Sequence, residues 1–318
     1  MTLGIGIHSN IPEAVYHADP CAEPSASASI LRTLLTESPM HAAYDHPKLN
    51  PKFQPSPSTE AQNKGTILHA LILGTTPAHR VLYHDSFRTD KAKADRDAAI
   101  KAGLIPILAD KMEELNVAAD AVRERLQKTL PDVWAALSDP ETLHEVTLIF
   151  RRSGVLCRIR CDTLPPAKYG ATYDLKFTGR SAEPDAWGKK MRDDYLYQPA
   201  LYPYGIETLR GDAPEFRFIA CEWEPPYGIS IHALDPSLEA LAQRRLDEAL
   251  ELWALCLKRN DWPGYAPFVH YAEAPAWMIS QEEGRVIARE SLREASRRRE
   301  AALAAVHRFE DVTGGVAR

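Results

Sequence analysis

Apolar and polar positions alternate along this chain in ways that separate helices from strands. Residues 64–74 read K-G-T-I-L-H-A-L-I-L-G, apolar almost all round, which predicts a buried helix stopped by Gly74, with His69 set inside it. Leu108, Met112, Leu115, Ala119, Val122 and Leu126 recur at alternating spacings of four and three, the pattern of an amphipathic helix. Residues 146–150 and 155–162 are apolar runs on either side of Arg152-Ser153-Gly154, a hairpin signal. A third strand is predicted over 171–177, bounded by Pro165, Pro166 and Gly170 before it and Gly179 after it, so the three should form a meander.

Downstream, Glu183-Pro184-Asp185 opens a helical stretch towards Leu209. Gly188, Pro199 and Pro203 interrupt it, and a break is expected near Tyr195. Residues 215–223 and 228–234 are two further strands. Residues 238–257 then form an amphipathic helix carrying Trp253, with Ser237 as its N-cap. The order helix, three strands, helix, two strands, helix fits a mixed α/β architecture around a central sheet. The flanks read differently. Residues 1–60 form an arm rich in Ser, Pro and Ala, with one short helix over 30–35 capped by Ser27 or Ser29 and a linker containing Pro51, Pro55 and Pro57. Residues 61–277 make the main domain, and 278–318 hold a charged helix over 281–309. Within that helix Arg297-Arg298-Arg299 alternates with Glu294 and Glu300 as a solvated face.

Composition narrows the class. With 318 residues, 45% hydrophobic and 26% charged, the chain is long enough for a large core. No apolar run approaches the ~20 residues that span a bilayer, and the N-terminus lacks a basic segment followed by an apolar one, so a cytoplasmic protein without membrane contact is expected. Cys21, Cys157, Cys161, Cys221 and Cys256 are odd in number and contain no C-x-x-C pair, which argues against a disulfide framework or a zinc site. A net charge of -6 means that any nucleic-acid contact must be local. No G-x-x-x-x-G-K-[ST] loop is present, so no ATP-driven step is expected.

The chemistry concentrates between Arg158 and Tyr202. On a strand, Asp174 and Lys176 share a face while Leu175 turns to the core, and Asp162 ends the neighbouring strand of the meander. Two carboxylates converging on one point repel each other unless a cation lies between them, and hard oxygen ligands favour magnesium or manganese. A lysine beside such a cation can hold an attacking water or offset charge on a phosphorane. A lone D-x-K arises about once by chance in a chain of this length, and by itself it reads as an ordinary surface strand. His69, taken alone, reads as a hydrogen-bonded core histidine, and Gln198 with Tyr202 as a side-chain pair four apart on a helix.

Taken together, these pieces resemble a known family. Cys157-Arg-Ile-Arg-Cys-Asp162, Asp174-Leu-Lys176 and Tyr195-Leu-Tyr-Gln198-Pro-Ala-Leu-Tyr202 look like the PD-(D/E)XK nuclease superfamily, more narrowly its exonuclease VIII (RecE-like) type from phages and prophages. Tyr16-His17, Glu37-Ser38-Pro39, Gly65-Thr-Ile-Leu-His69 and Trp262-Pro-Gly-Tyr265 match as well, so the likeness runs to about Trp277. It departs from the pattern at Cys161, which stands where the family has the proline of P-D.

The resemblance implies a restriction-endonuclease-like core, a central mixed sheet flanked by helices, with helical N- and C-terminal additions. It implies His69, Asp162, Asp174 and the main-chain carbonyl of Leu175 as metal ligands, with Glu145 a weaker candidate. Lys176 would position or activate water, Gln198 and Tyr202 would be the Q-x-x-x-Y element beside the site, and Arg158 and Arg160 would meet phosphates. The implied cofactor is Mg²⁺, with Mn²⁺ able to substitute. The late cysteines lack the spacing that holds an iron-sulfur cluster in some relatives, so none is expected. The implied activity is degradation of one strand of linear double-stranded DNA from its 5′ end, leaving a 3′ overhang for a single-strand annealing protein (RecT-like). The implied assembly is a toroidal homo-oligomer. Two other readings stay open: an endonuclease or single-strand-specific nuclease of the same superfamily, and a non-catalytic DNA-binding scaffold with this fold.

Overall fold

Thr59 and Gln62 form a reciprocal capping box at the start of the first long helix, and Gly74, at φ 67°, ends it in the left-handed conformation. A computed structural model describes residues 2–75, 78–179 and 181–313 of the chain. Its elements in chain order begin with β1 (Gly6–His8), α1 (Glu13–His17), α2 (Ala28–Thr36), α3 (Pro39–Tyr44), α4 (Glu60–Leu73), β2 (His79–Leu82), α5 (Asp90–Lys101) and β3 (Ile105–Leu108). There follow α6 (Ala109–Thr129), α7 (Pro131–Ser138), β4 (Leu143–Arg152), β5 (Val155–Leu164) and β6 (Ala171–Thr178). The chain continues with α8 (Pro184–Lys190), a π-turn (Met191–Tyr195), α9 (Tyr197–Arg210), β7 (Glu215–Glu222), β8 (Ile229–His232), α10 (Pro236–Arg259) and α11 (Ala276–Thr313). They fall into two units, Met1–Tyr265 and Ala266–Arg318, the second built around α11. Among the described residues, no helix is long and apolar enough to cross a membrane.

The first unit is a six-stranded mixed sheet in the order β1-β4-β5-β6-β7-β8. The expected meander is present: β4, β5 and β6 are antiparallel neighbours, and Ser153 and Gly154 turn the hairpin with φ of 49° and 80°. Strand β7 then returns parallel to β6 after the α8–α9 crossover. One face of the sheet packs against α2, α9 and α10 around Leu31, Phe150, Leu201, Phe218 and Trp253. The other face packs against α4, α6 and α7 around Leu68, Leu126, Leu175 and Ile219. Two covered faces explain why these strands are apolar over long runs. Gly205 brings α9 down on the sheet, since a Cβ there would collide with the Phe150 ring.

Several expectations need revision. The N-cap of α10 is Asp235, whose carboxylate accepts from the amides of Ser237 and Leu238, rather than Ser237. The polar stretch around 87–101 forms α5, capped by Thr89 and linking the small parallel pair β2/β3; its apolar content was too low to show a helical stripe. Pro199 does not distort α9, because it lies in the first turn, where no intrahelical N–H is needed. Pro203 is interior, and one turn before it the Ala200 carbonyl accepts from Arg152 Nη1 (3.1 Å) and Gln243 Nε2 (3.2 Å).

The first sixty residues belong to the first unit. β1 extends the sheet beside β4, and Ala26 pairs with Leu156 and Arg158, covering the edge of β5 that β6 leaves free. Beneath lies a buried polar knot. Asp19, at φ 55°, accepts from Ser25 N (2.9 Å) and Ser25 Oγ (2.7 Å), and its carboxylate sits 3.2 Å from His46 and 3.6 Å from Arg158. Burial alone would raise the Asp19 pKa, but His46 and Arg158 outweigh it and hold the group ionised.

Arg158 is therefore not a phosphate ligand. It is 3% exposed, donates to Ser25 Oγ at 2.8 Å and lies over the Tyr16 ring. Arg158→Met should leave the Asp19 carboxylate to Ser25 and His46 alone and destabilise the fold by about 1–3 kcal/mol. Thermal denaturation checks this; an unchanged melting temperature with weakened DNA binding would restore the phosphate role.

Candidate metal centre

Strands β5 and β6 share a single paired position, Thr163 with Tyr173, locked by Thr163 Oγ1 to the Tyr173 carbonyl (2.9 Å) and Thr172 Oγ1 to the Thr163 carbonyl (2.6 Å). One residue beyond it the strands part, and at that fork stand Asp162 and Asp174. Alternation along β6 sends Tyr173 and Leu175 into the α4/α6 core and turns Asp174 and Lys176 towards α9. Asp162 faces α4. The fork is what lets groups from both faces of the sheet meet.

Three side chains converge there. A nitrogen of His69, a carboxylate oxygen of Glu145 and one of Asp162 all lie within 4.8 Å of one another. His69 Nδ1 is 3.5 Å from Asp162 and 3.9 Å from Glu145. The Leu175 main chain closes the same corner: its N–H donates to Asp162 Oδ2 at 2.8 Å, and its carbonyl lies close enough to the His69 ring to favour the protonated imidazole. Phe177 packs edge-on against that ring with centroids 5.2 Å apart. Glu145 has φ 51° inside a strand, a left-handed conformation that costs on the order of 1 kcal/mol or more in a non-glycine residue.

Asp174 is held differently. One oxygen takes the Lys176 ammonium and the other accepts Gln198 Nε2 at 3.0 Å. Gln198 is in turn 3.4 Å from the Tyr202 hydroxyl, whose pKa burial raises well above that of a free phenol, so it remains protonated. The Q-x-x-x-Y pair thus orients Asp174.

Burial dominates the electrostatics. It pushes Asp162 up to about 7, with Glu145 adding repulsion and Lys176 opposing, and pushes Asp174 up to about 6, with Asp162 adding repulsion. For Lys176, burial pulls the pKa down, but Asp174 and Asp162 outweigh it and the net shift is upward, so it is a cation at neutral pH. His69 is shifted down, by burial first and then by Lys176, which favours the neutral ring a metal needs. One imidazole, the Glu145 carboxylate and two largely buried carboxylates, Asp162 and Asp174, that resist ionisation without a counter-charge fit a small divalent cation. His69, Glu145, Asp162 and the Leu175 carbonyl would hold it, with Asp174 adjacent.

The sequence-predicted residues His69, Glu145, Asp162, Asp174, Lys176, Gln198 and Tyr202 are thus brought to one place. The arginines are not. Arg160 does not point to solvent for a phosphate, but donates through Nε to Glu145 (2.8 Å) and through Nη1 to the Ile11 carbonyl (2.8 Å). Its strand position opposite Thr147, two residues from Glu145, was the available signal. Tyr195 was also missed. Its ring centroid is 5.3 Å from Lys176 Nζ, and it stands three residues before Gln198, a spacing that shares a helical face.

A forked mixed sheet carrying D…D-x-K with a helix-borne histidine defines a member of the PD-(D/E)XK nuclease superfamily. Residues 27–275 match the family described as "PDDEXK-like domain of unknown function (DUF3799)", and the chain belongs to that family. The crystal structure of a candidate exonuclease from Eubacterium rectale superposes with a TM-score of 0.53 at 14% identity, covering 84% of this chain and 96% of that one. At that identity the shared property is the fold. The structure of SSO0001, at 11% identity, TM-score 0.23 and coverage of 61% and 87%, is too distant to support an argument. No curated protein matches the chain significantly.

Proposed function

We propose that the protein is a magnesium-dependent exonuclease that hydrolyses linear double-stranded DNA from its 5′ ends and leaves 3′ single-stranded overhangs. The observation that carries this reading is the fork itself: His69, Glu145 and Asp162 within ligand reach of one another, with Lys176 cationic on the adjoining strand. A bound divalent cation would supply charge neutralisation for a phosphate and lower the pKa of water. The chain's own groups do the rest. Lys176 keeps N–H donors beyond the one given to Asp174, and these can offset charge on a non-bridging oxygen during in-line displacement. Gln198 and Tyr202 keep Asp174 turned to the site. Partial burial lowers the local dielectric and strengthens each of these interactions.

Polarity and context rest on the RecE-like resemblance. In this reading the enzyme works in the cytoplasm on broken duplex ends and hands its overhang to a single-strand annealing protein. It acts as a toroidal homo-oligomer whose local basic lining reconciles a net charge of -6 with DNA binding. Duplex labelled separately at its 5′ and 3′ ends and incubated with Mg²⁺ or Mn²⁺ should lose the 5′ label first, while covalently closed circles stay intact. Equal cutting of closed circles would make it an endonuclease, and retention of the 5′ label while the duplex shortens would reverse the polarity. Lys176→Ala should abolish the activity; unchanged cleavage by that variant would remove this site from consideration.

A further inference from the structure

Lys176 is held by more than Asp174. Its ammonium lies 5.3 Å from the Tyr195 ring centroid and 5.7 Å from that of Phe218, and the two rings are themselves 5.6 Å apart. The Tyr195 ring stacks on Trp187 at 5.9 Å and 26°, and Trp187 is 2% exposed, so the ring has a rigid backing. The backbone beneath it is unusual as well. Tyr195 is the last residue of the π-turn, a wide turn inserted between α8 and α9. Such insertions recur at functional sites because they rotate the residues that follow. Here the π-turn and the first turn of α9 direct Tyr195 and Gln198 at the same strand, one to Lys176 and the other to Asp174.

An aromatic face attracts an ammonium without accepting a conventional hydrogen bond from it. A carboxylate in the same place would use up donors and pull the charge away from the fork. A ring wall confines the cation and leaves its remaining N–H groups for substrate oxygens.

We propose that Tyr195 is a positioning residue for Lys176: its ring, set by the π-turn and backed by Trp187, holds the ammonium at the fork with donors free for the scissile phosphate. The catalytic consequence rests on the nuclease reading above, whereas the positioning itself does not. In this reading the ring rather than the hydroxyl supplies the hold, so the ring alone should suffice.

Two measurements test the proposal. In the first, Tyr195→Phe should cleave end-labelled duplex within about twofold of the unchanged protein, whereas Tyr195→Leu should lower kcat about tenfold, the scale of one lost desolvated cation–π contact. DNA binding with Ca²⁺ replacing Mg²⁺ should be the same for both. In the second, metal-free protein labelled with [ε-¹³C]lysine, with the Lys176 signal assigned through Lys176→Arg, should show Lys176 ε-protons displaced upfield by ring currents. That displacement should persist in Tyr195→Phe and shrink in Tyr195→Leu, or in Tyr195→Met if the leucine variant does not fold. An unmoved Lys176 signal in the ring-less variant overturns the proposal, as does a phenylalanine variant as impaired as the leucine one. If the signals behave as expected but the unchanged protein cuts no DNA, the nuclease reading fails and the positioning stands.

Discussion

Asp162→Asn is expected to abolish DNA hydrolysis and to make the metal-free protein more stable. The loss should be about a thousandfold or more, the scale on which removing one charge-stabilising group at a reacting phosphate acts. The gain follows from the same burial. Asp162 is pushed up to about 7 by a site that disfavours its charge, against repulsion from Glu145 and Asp174. Each unit of such displacement costs about 1.4 kcal/mol once the group is forced to ionise. Asparagine keeps an oxygen to accept the Leu175 N–H and removes the charge. In a unit of this size about 1 kcal/mol moves the melting temperature by roughly 2–4 °C, so a rise of several degrees in EDTA is expected at pH 7.5. A lower melting temperature in EDTA would show that the carboxylate stabilises the fold, and the assignment of Asp162 as a strained ligand would fall.

The contribution of Asp162 and Asp174 to the stability of the metal-free protein should decline as pH rises from about 4 to about 7, and magnesium should reverse that decline. The sign follows from the two raised carboxylates. Asp162, near 7, and Asp174, near 6, hold protons in the folded state at pH values where the unfolded chain has released them. Wherever the folded state binds more protons, stability falls with increasing pH, and the fall ends above the folded-state pKa values. Cation binding requires Asp162 deprotonated and is favoured by a negative charge on the adjacent Asp174, so magnesium affinity should rise through the same window. Melting curves in EDTA and in Mg²⁺ between pH 5 and 8 should therefore diverge as pH rises, and the divergence should be much smaller for Asp162→Asn. Parallel curves would mean that Asp162 does not hold the cation.

The helices and strands were readable where apolar periodicity was strong. The α4 stretch, the α6 heptad-like spacing, the β4/β5 hairpin and the break before Gln198 all appeared as expected. Helix α5 and strands β2 and β3 were not readable, because a short polar helix and four-residue strands carry almost no periodic signal. The cap of α10 moved from Ser237 to Asp235 for a similar reason: both residue types cap, and only the backbone geometry chooses between them.

Within the site, the fold brings the named side chains together, while their roles remain part of the proposal. Asp162, Asp174 and Lys176 stood out by type and spacing, whereas His69 and, more weakly, Glu145 were singled out only through the family resemblance. Arg158 and Arg160 were misread, because a basic side chain on a strand looks the same whether it meets a phosphate or a buried carboxylate. What distinguishes the two is a partner distant in the chain: Asp19 and Ser25 for Arg158, Glu145 and Ile11 for Arg160.

Local spacing thus determined which elements form and which chemically able groups the chain possesses, since side-chain periodicity and turn preference are properties of a few neighbouring residues. Only the tertiary structure decided that β5 and β6 part after Thr163, that the first sixty residues fill the edge so exposed, and that a π-turn delivers Tyr195 to Lys176. Those outcomes depend on contacts between segments more than a hundred residues apart in one case and on sheet twist and packing in the others, none of which is encoded in any short window of sequence.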